Sequence, residues 1–287
     1  ISPGGGTFTG AFDGNGKTVT VYGNTFYDIG AGAYVGNLNI VGSGSKLANS
    51  ISGAKIEYCT VDNQNKSRSI PAGFANDVSD SEVKNCKVIN VTVSQSTAGG
   101  FASSISGGTI QDCYVVNSDI AGNSIAGGFA GRIIGAQINR CGVYNSSVTG
   151  TNTLGGFVGR SDNGSKLTDC YTNADVSTGQ YAGLFVGMNY AEISGGIATG
   201  KSFAASNDDA EASPSPAPSA LPQPTQTITM GFAGLDEGTT SECTTTYSGN
   251  IYKPAATLLA EGSVSLPDIG TDAPVIVSGL TDISGHW

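Results

Sequence analysis

The chain has 287 residues, of which 43 are glycine and only 13% are charged; an ordinary soluble domain carries about a quarter charged residues, so this one turns often and offers few ion pairs. Its 13 basic and 23 acidic side chains give a formal charge of -10 without any Lys/Arg cluster, which argues against nucleic acid and anionic membrane as partners. No apolar run reaches the roughly eighteen residues needed for a membrane span, and Ile1 opens into a Pro/Gly segment with no leader, as expected of a soluble, mature or truncated chain.

In chain order, residues 1–46 read as an N-terminal coil and cap. They contain the oxygen-rich loop FDGNG, with Asp13 and Asn15. Calcium is one reading of this loop and of Asp208, Asp209 and Glu211 further on. Neither loop has a full spaced ligand set, so turn chemistry and no cofactor is the expectation.

Residues 47–250 repeat. The phrases AGFAND, GGFASS, GGFAGR, GGFVGR, GLFVGM and MGFAGL align Phe74, Phe101, Phe129, Phe157, Phe185 and Phe232, with Leu47 one period earlier; the steps are 27, 27, 28, 28, 28 and 47. About twelve residues after each marker comes Cys59, Cys86, Cys113, Cys141 or Cys170, then a skip at Gly196 and a return at Cys243. An aliphatic residue lies three before each of the first five cysteines, and Val61, Val88, Val115, Val143 or Thr172 two after. Such short alternation marks strands, the Gly and Asn between them mark bends, and no stretch holds a helical period. The spacing predicts an all-β chain, a right-handed parallel β-helix of about seven coils with three short strands per coil, identical residues stacking at roughly 4.8 Å. A propeller blade needs about 40 residues, and a sandwich would show no such ladder.

Six cysteines invite a disulfide reading, but stacked neighbours have Cβ atoms near 4.8 Å, beyond the roughly 3.8 Å that a disulfide prefers. The expectation is free, buried thiols that fill the interior beside the phenylalanines. Without grouped His or CxxC spacing, no metal is expected. Asn63, Asn90, Asn117 and Asn145, each four residues after a Cys, read as a corner ladder, because Asn tolerates left-handed geometry.

The step of 47 holds one coil plus a Pro-rich loop at 207–227, NDDAEASPSPAPSALPQPTQT, read as an extended surface excursion, a contact arm or a glycosylated spur. Residues 251–279 lose the repeat and read as a C-terminal cap and linker.

The units AGGFAGRIIGAQINRCGVYNSSVTG and GGFVGRSDNGSKLTDCYTNADVSTG resemble the GLUG repeat of bacterial cell-surface and secreted proteins, and FTGAFDGNGKTVTV is similar to the segment that leads into such arrays. Residues 280–287, LTDISGHW, are similar to the start of a surface-layer homology domain, with Asp282, Gly285, His286 and Trp287 in the expected order. Together these imply a β-helix outside a bacterial cell, on a Gram-positive cell wall. Cell-wall polysaccharide would be held by an anchor of which only the beginning is in the chain. The repeat occurs beside adhesins, peptidases and carbohydrate-active modules, so it implies no single activity.

The only His is His286, and neither a nucleophile elbow nor a phosphate loop appears. A noncatalytic structural or adhesive module that contacts glycan, host or matrix protein, or neighbouring copies is the leading reading. The alternatives are a polysaccharide lyase or glycosidase working on a lateral groove and an accessory segment of a secreted peptidase. Candidate contacts are Arg132 and Arg160, one coil apart and beside Asp162, and Arg140, between Asp112 and Asp169 in the register just before the Cys. Such charges make either a surface ladder or a glycan contact. The enzyme reading also requires exposed aromatics such as Tyr144, Tyr171, Tyr181 or Tyr190.

Overall fold

A computed structural model describes residues 5–203 except 65, 67 and 178, together with 232–247 and 250–252. The Pro-rich loop with Asp208, Asp209 and Glu211, most of the cap and linker, and residues 280–287 lie outside the described residues.

Every described element is a strand, and the strands stack in parallel as a β-solenoid of about seven turns. Three sheets wind along the stack. One coil illustrates the path: Ala102–Ser106 in the first sheet, Thr109–Gln111 and Tyr114–Val116 in the second, Asp119–Gly127 in the third. Each pairs with its copy 28 residues on, as Ile105 with Ile133, Ile110 with Ile138, Val115 with Val143 and Ile120 with Val148. The second sheet runs as one continuous strand per coil up to Lys55–Asp62 and from the next coil onward is folded in two at the residue before each Cys.

The interior is the predicted ladder. Phe74, Phe101, Phe129, Phe157, Phe185 and Phe232 are buried, with successive ring centroids 4.4, 4.8, 5.0, 5.0 and 4.6 Å apart and planes within 17° of parallel. Leu47 and Phe26 continue the column toward the N-terminus. All six cysteines are free and buried. Each thiol except Cys59 points at the carbonyl two residues before it at 3.2–3.3 Å, and Cys59 does so at 3.4 Å. Gly196 takes the Cys place between Cys170 and Cys243, and Phe232 occupies the space its missing side chain leaves.

The glycine pair before Phe101, Phe129 and Phe157 has a steric reason. A Cβ on Gly128 would lie 2.1 Å from the Gly156 carbonyl oxygen of the next coil and 2.9 Å from a Val143 methyl. Backbones meet there too closely for any side chain.

Corners adopt left-handed backbone. Asn90, Asn117 and Asn145 have φ of 57°, 50° and 49°, as their type suggests. Asn63 does not belong to that set: it is buried, and its amide exchanges hydrogen bonds with the Ser45 backbone at 3.0 and 3.1 Å. At that corner Gln64 and Lys66 are left-handed among the described residues. A second corner lies just before the Cys, where Tyr58, Asn85, Asp112, Arg140, Asp169, Gly195 and Glu242 all have φ between 47° and 67°.

The segment before residue 47 already belongs to the stack, since Ala11–Thr20 pairs in parallel with Tyr34–Val41, which pairs with Lys55–Asp62. At the other end, register survives the 47-residue step, with Val186 opposite Ala233 and Ile193 opposite Thr240. There the interior becomes polar: Ser161, Asn189 and Asp236 stack where Ile133 stood, linked by side-chain hydrogen bonds of 2.5 and 2.9 Å. Asn250–Tyr252 runs antiparallel to Thr244–Tyr247, so parallel stacking ends at that pair.

Candidate functional site

Outward side chains of the first sheet form two columns. Ser104, Arg132, Arg160, Met188 and Leu235 make one. Asp162 and Tyr190, two residues beyond Arg160 and Met188, belong to the other. Arg132 and Arg160 do stand one above the other, and both turn to Asp162. Nε of Arg132 donates to Asp162 Oδ2 at 2.5 Å, and Nε of Arg160 to Oδ1 at 2.8 Å. Nη2 of Arg160 lies 2.8 Å from the same Oδ1. The Arg160 guanidinium also lies over Tyr190, 5.2 Å from the ring centroid, within cation–π range. Beside Tyr190 opens a groove of about 390 Å³, lined on its polar side by Gln137, Asn163, Lys166, Glu192, Glu237 and Thr239. Lys166 and Glu192 pair at 2.6 Å across adjacent coils.

Arg140 behaves differently from its register description. It makes a bidentate pair with Asp112, Nε at 2.9 Å and Nη2 at 2.8 Å, and no ion pair with Asp169. The Asp112 hydrogen bond pushes the Arg140 pKa up, holding the guanidinium protonated. Next to this pair, Tyr114, Tyr144 and Tyr171 form an outward column, with centroids 6.1 and 5.1 Å apart. Gly142 makes it possible. It stands between Tyr114 and Tyr171 in register, and the Tyr144 ring folds over the place its side chain would take. Burial raises the phenol pKa of all three; the Asp112 charge adds to the effect on Tyr114. Tyr171 is buried and its hydroxyl bonds Thr199 at 2.9 Å. The Tyr144 and Tyr171 rings stack on each other within 28°, so they offer no flat face to a sugar.

Past Thr199 lies a second groove of about 510 Å³, with Asp119, Asn145, Ser147, Asn173, Asp175 and Lys201 on its walls. Asp119 accepts from Ser147 at 2.9 Å and pairs with Lys66 at 3.0 Å; Asp175 accepts the Lys201 backbone N–H at 2.9 Å. The FDGNG loop is held by its own turn: Asp13 Oδ1 accepts from the Asn15 backbone at 2.8 Å and from the Asn37 amide at 3.0 Å, which keeps the Asp13 pKa low.

Sequence reasoning found the charged cluster but left out Lys166, Gln137, Asn163 and Tyr114, and saw Tyr190 only as an aromatic. The available signal was the 28-residue step from Asp162 to Tyr190, which places the ring in the carboxylate's column. Compared with protein-family models, curated proteins and solved structures, the chain matches none.

Proposed function

We propose that this chain is a noncatalytic structural or adhesive rod on the outside of a bacterial cell wall, contacting glycan through its lateral faces. The observation that supports this most is that the candidate charges are tied to one another: two guanidiniums on Asp162, and Arg140 on Asp112. A lyase base must give up its proton near neutral pH; the Asp112 hydrogen bond pushes Arg140 the other way, and Arg132 and Arg160 are already engaged by Asp162. The extracellular setting draws on the resemblance to GLUG repeats and to the opening of a surface-layer homology domain.

The glycosidase reading has its best support in the larger groove. Asp119 and Asp175 both lie in register with Ser147, one coil to either side. Their backbones are thus about 9.6 Å apart, near the upper end of the roughly 6.5–9.5 Å carboxyl separation of inverting enzymes. Such an enzyme needs one carboxyl protonated. Both Asp119 and Asp175 are instead acceptors engaged by the chain itself, Asp119 by Ser147 and Lys66 and Asp175 by the Lys201 backbone N–H. A glycan array run beside a lyase and hydrolase screen separates the readings. Binding without turnover is the expected result; turnover lost in Arg132→Ala or Arg160→Ala would overturn the noncatalytic assignment.

A further inference from the structure

Building on that reading, we propose that Arg132, Arg160 and Tyr190, with the groove beside them, form a binding site for a saccharide that carries a carboxylate, a uronate-type sugar. Two guanidiniums share a single carboxylate, so the cluster keeps one excess positive charge on a chain whose formal charge is -10. It faces outward, with the Arg132 and Arg160 side chains 42% and 35% exposed while Asp162 is mostly covered at 14%. An incoming carboxylate therefore meets the cations before it meets Asp162. Guanidinium N–H groups beyond those aimed at Asp162 suit the bidentate geometry of a second carboxylate.

The neighbouring groove identifies the rest of the ligand. Tyr190 belongs to both features, one coil above Asp162 and in the groove wall. Amides, a lysine, two carboxylates and a threonine hydroxyl line it, and these donors and acceptors match sugar hydroxyls. Its 390 Å³ volume falls within the range of roughly 300–1,000 Å³ typical of small-molecule sites. The excess charge sits at the arginine end and matches one carboxylate, while the groove, with Lys166 paired to Glu192 and Glu237 beside them, takes the sugar's hydroxyls; its polar walls give no pocket for the apolar side chains of a peptide.

The test is calorimetric titration of the 287-residue chain with a galacturonate oligosaccharide, the matching neutral galactose oligosaccharide and inorganic phosphate. The galacturonate probe is expected to bind, and the other two much more weakly. Because each charge-assisted hydrogen bond counts for a factor of roughly ten or more, Arg160→Ala and Arg132→Ala should each weaken binding about tenfold. Asp162→Asn should tighten it by releasing both guanidiniums, and Arg140→Ala, on another face, should leave it unchanged. Circular dichroism of each variant separates lost binding from lost fold. No galacturonate binding, equal binding of the neutral oligosaccharide, or affinity unmoved by both arginine variants would overturn the site. Galacturonate cleavage would leave the site standing and overturn the noncatalytic reading instead, while neutral-glycan binding insensitive to these residues would do the reverse.

Discussion

Replacing Phe129 with alanine tests the aromatic column at its most ordered point. The ring is fully buried and lies 4.8 Å from Phe101 and 5.0 Å from Phe157, tilted by only 5° and 9°. A buried Phe→Ala change costs about 3–5 kcal/mol, and each stacked pair adds about 0.5–1.5 kcal/mol beyond burial, so two lost pairs place Phe129→Ala near 5 kcal/mol. Phe129→Leu keeps most of the apolar volume and should cost about 1–2 kcal/mol. Phe232, with Phe185 as its one stacked partner among the described residues, should cost about 1 kcal/mol less than Phe129 on alanine substitution. Urea unfolding followed by far-UV circular dichroism gives these differences while the transition stays single. In a solenoid each coil contacts only its neighbours, so hydrogen exchange should rise first at the amides of Phe101 and Phe157. A loss under about 1 kcal/mol for Phe129→Ala, or equal losses for the Leu and Ala variants, would refute stacking as a source of stability.

Gly128→Ala should destabilise by about 3 kcal/mol or fail to fold, because the methyl meets the Gly156 carbonyl, backbone that the stack holds in place, as well as the Val143 methyl; a thermal melt matching the parent would contradict the close approach of coils. The Cys170 and Cys243 pKa values are pushed up to about 12 by burial, and burial also raises Cys86 and Cys141 well above the ordinary range. Because all six thiols are buried, an aromatic disulfide reagent at pH 8 should label no cysteine in the native protein and all 6 in denaturant. Tyr114, Tyr144 and Tyr171 keep their protons in the fold above the free value of 10.0. Above that pH the unfolded chain binds fewer protons than the native one, so their contribution to stability is full below pH 10 and falls as pH rises. Lys46, whose pKa burial lowers from 10.5, acts with the opposite sign over a range ending near that value. Phenolate absorbance from the three tyrosines should appear together with unfolding, and Tyr144→Phe should flatten the alkaline loss of stability.

The stack was legible because each coil returns the same residue types to the same depth: Phe, an aliphatic, Cys and Val recur at 27 or 28 residues, and parallel pairing is the arrangement that turns such recurrence into columns. What hid from the sequence is whatever one coil imposes on the next. The left-handed corner before each Cys is held by Tyr58, Asp112 and Arg140 as well as by Asn85, and neither Tyr nor Arg signals such a turn by propensity. The tyrosine column spans steps of 30 and 27, irregular because Tyr144 reaches it from two residues past Gly142. Arg140 chose Asp112 over Asp169 by side-chain direction, which register alone leaves open. Asn63 kept the spacing of its successors but turned inward to Ser45, and the left-handed bend falls one residue later, at Gln64.

The corner before the cysteines has a further consequence. Seven positions share one backbone shape yet hold Tyr, Asn, Asp, Arg, Asp, Gly and Glu. Left-handed geometry costs a non-glycine residue about 1–2 kcal/mol, and neighbouring coils sustain it whatever the side chain. Backbone shape and side-chain chemistry are thereby uncoupled along one edge of the rod, which becomes a ruled line with a mark about every 4.8 Å, each mark able to change its charge or bulk on an unchanged backbone and to be matched to its neighbour, as Arg140 is to Asp112. A lineage could rewrite what that edge recognises one coil at a time, and a designer could write on it in the same way.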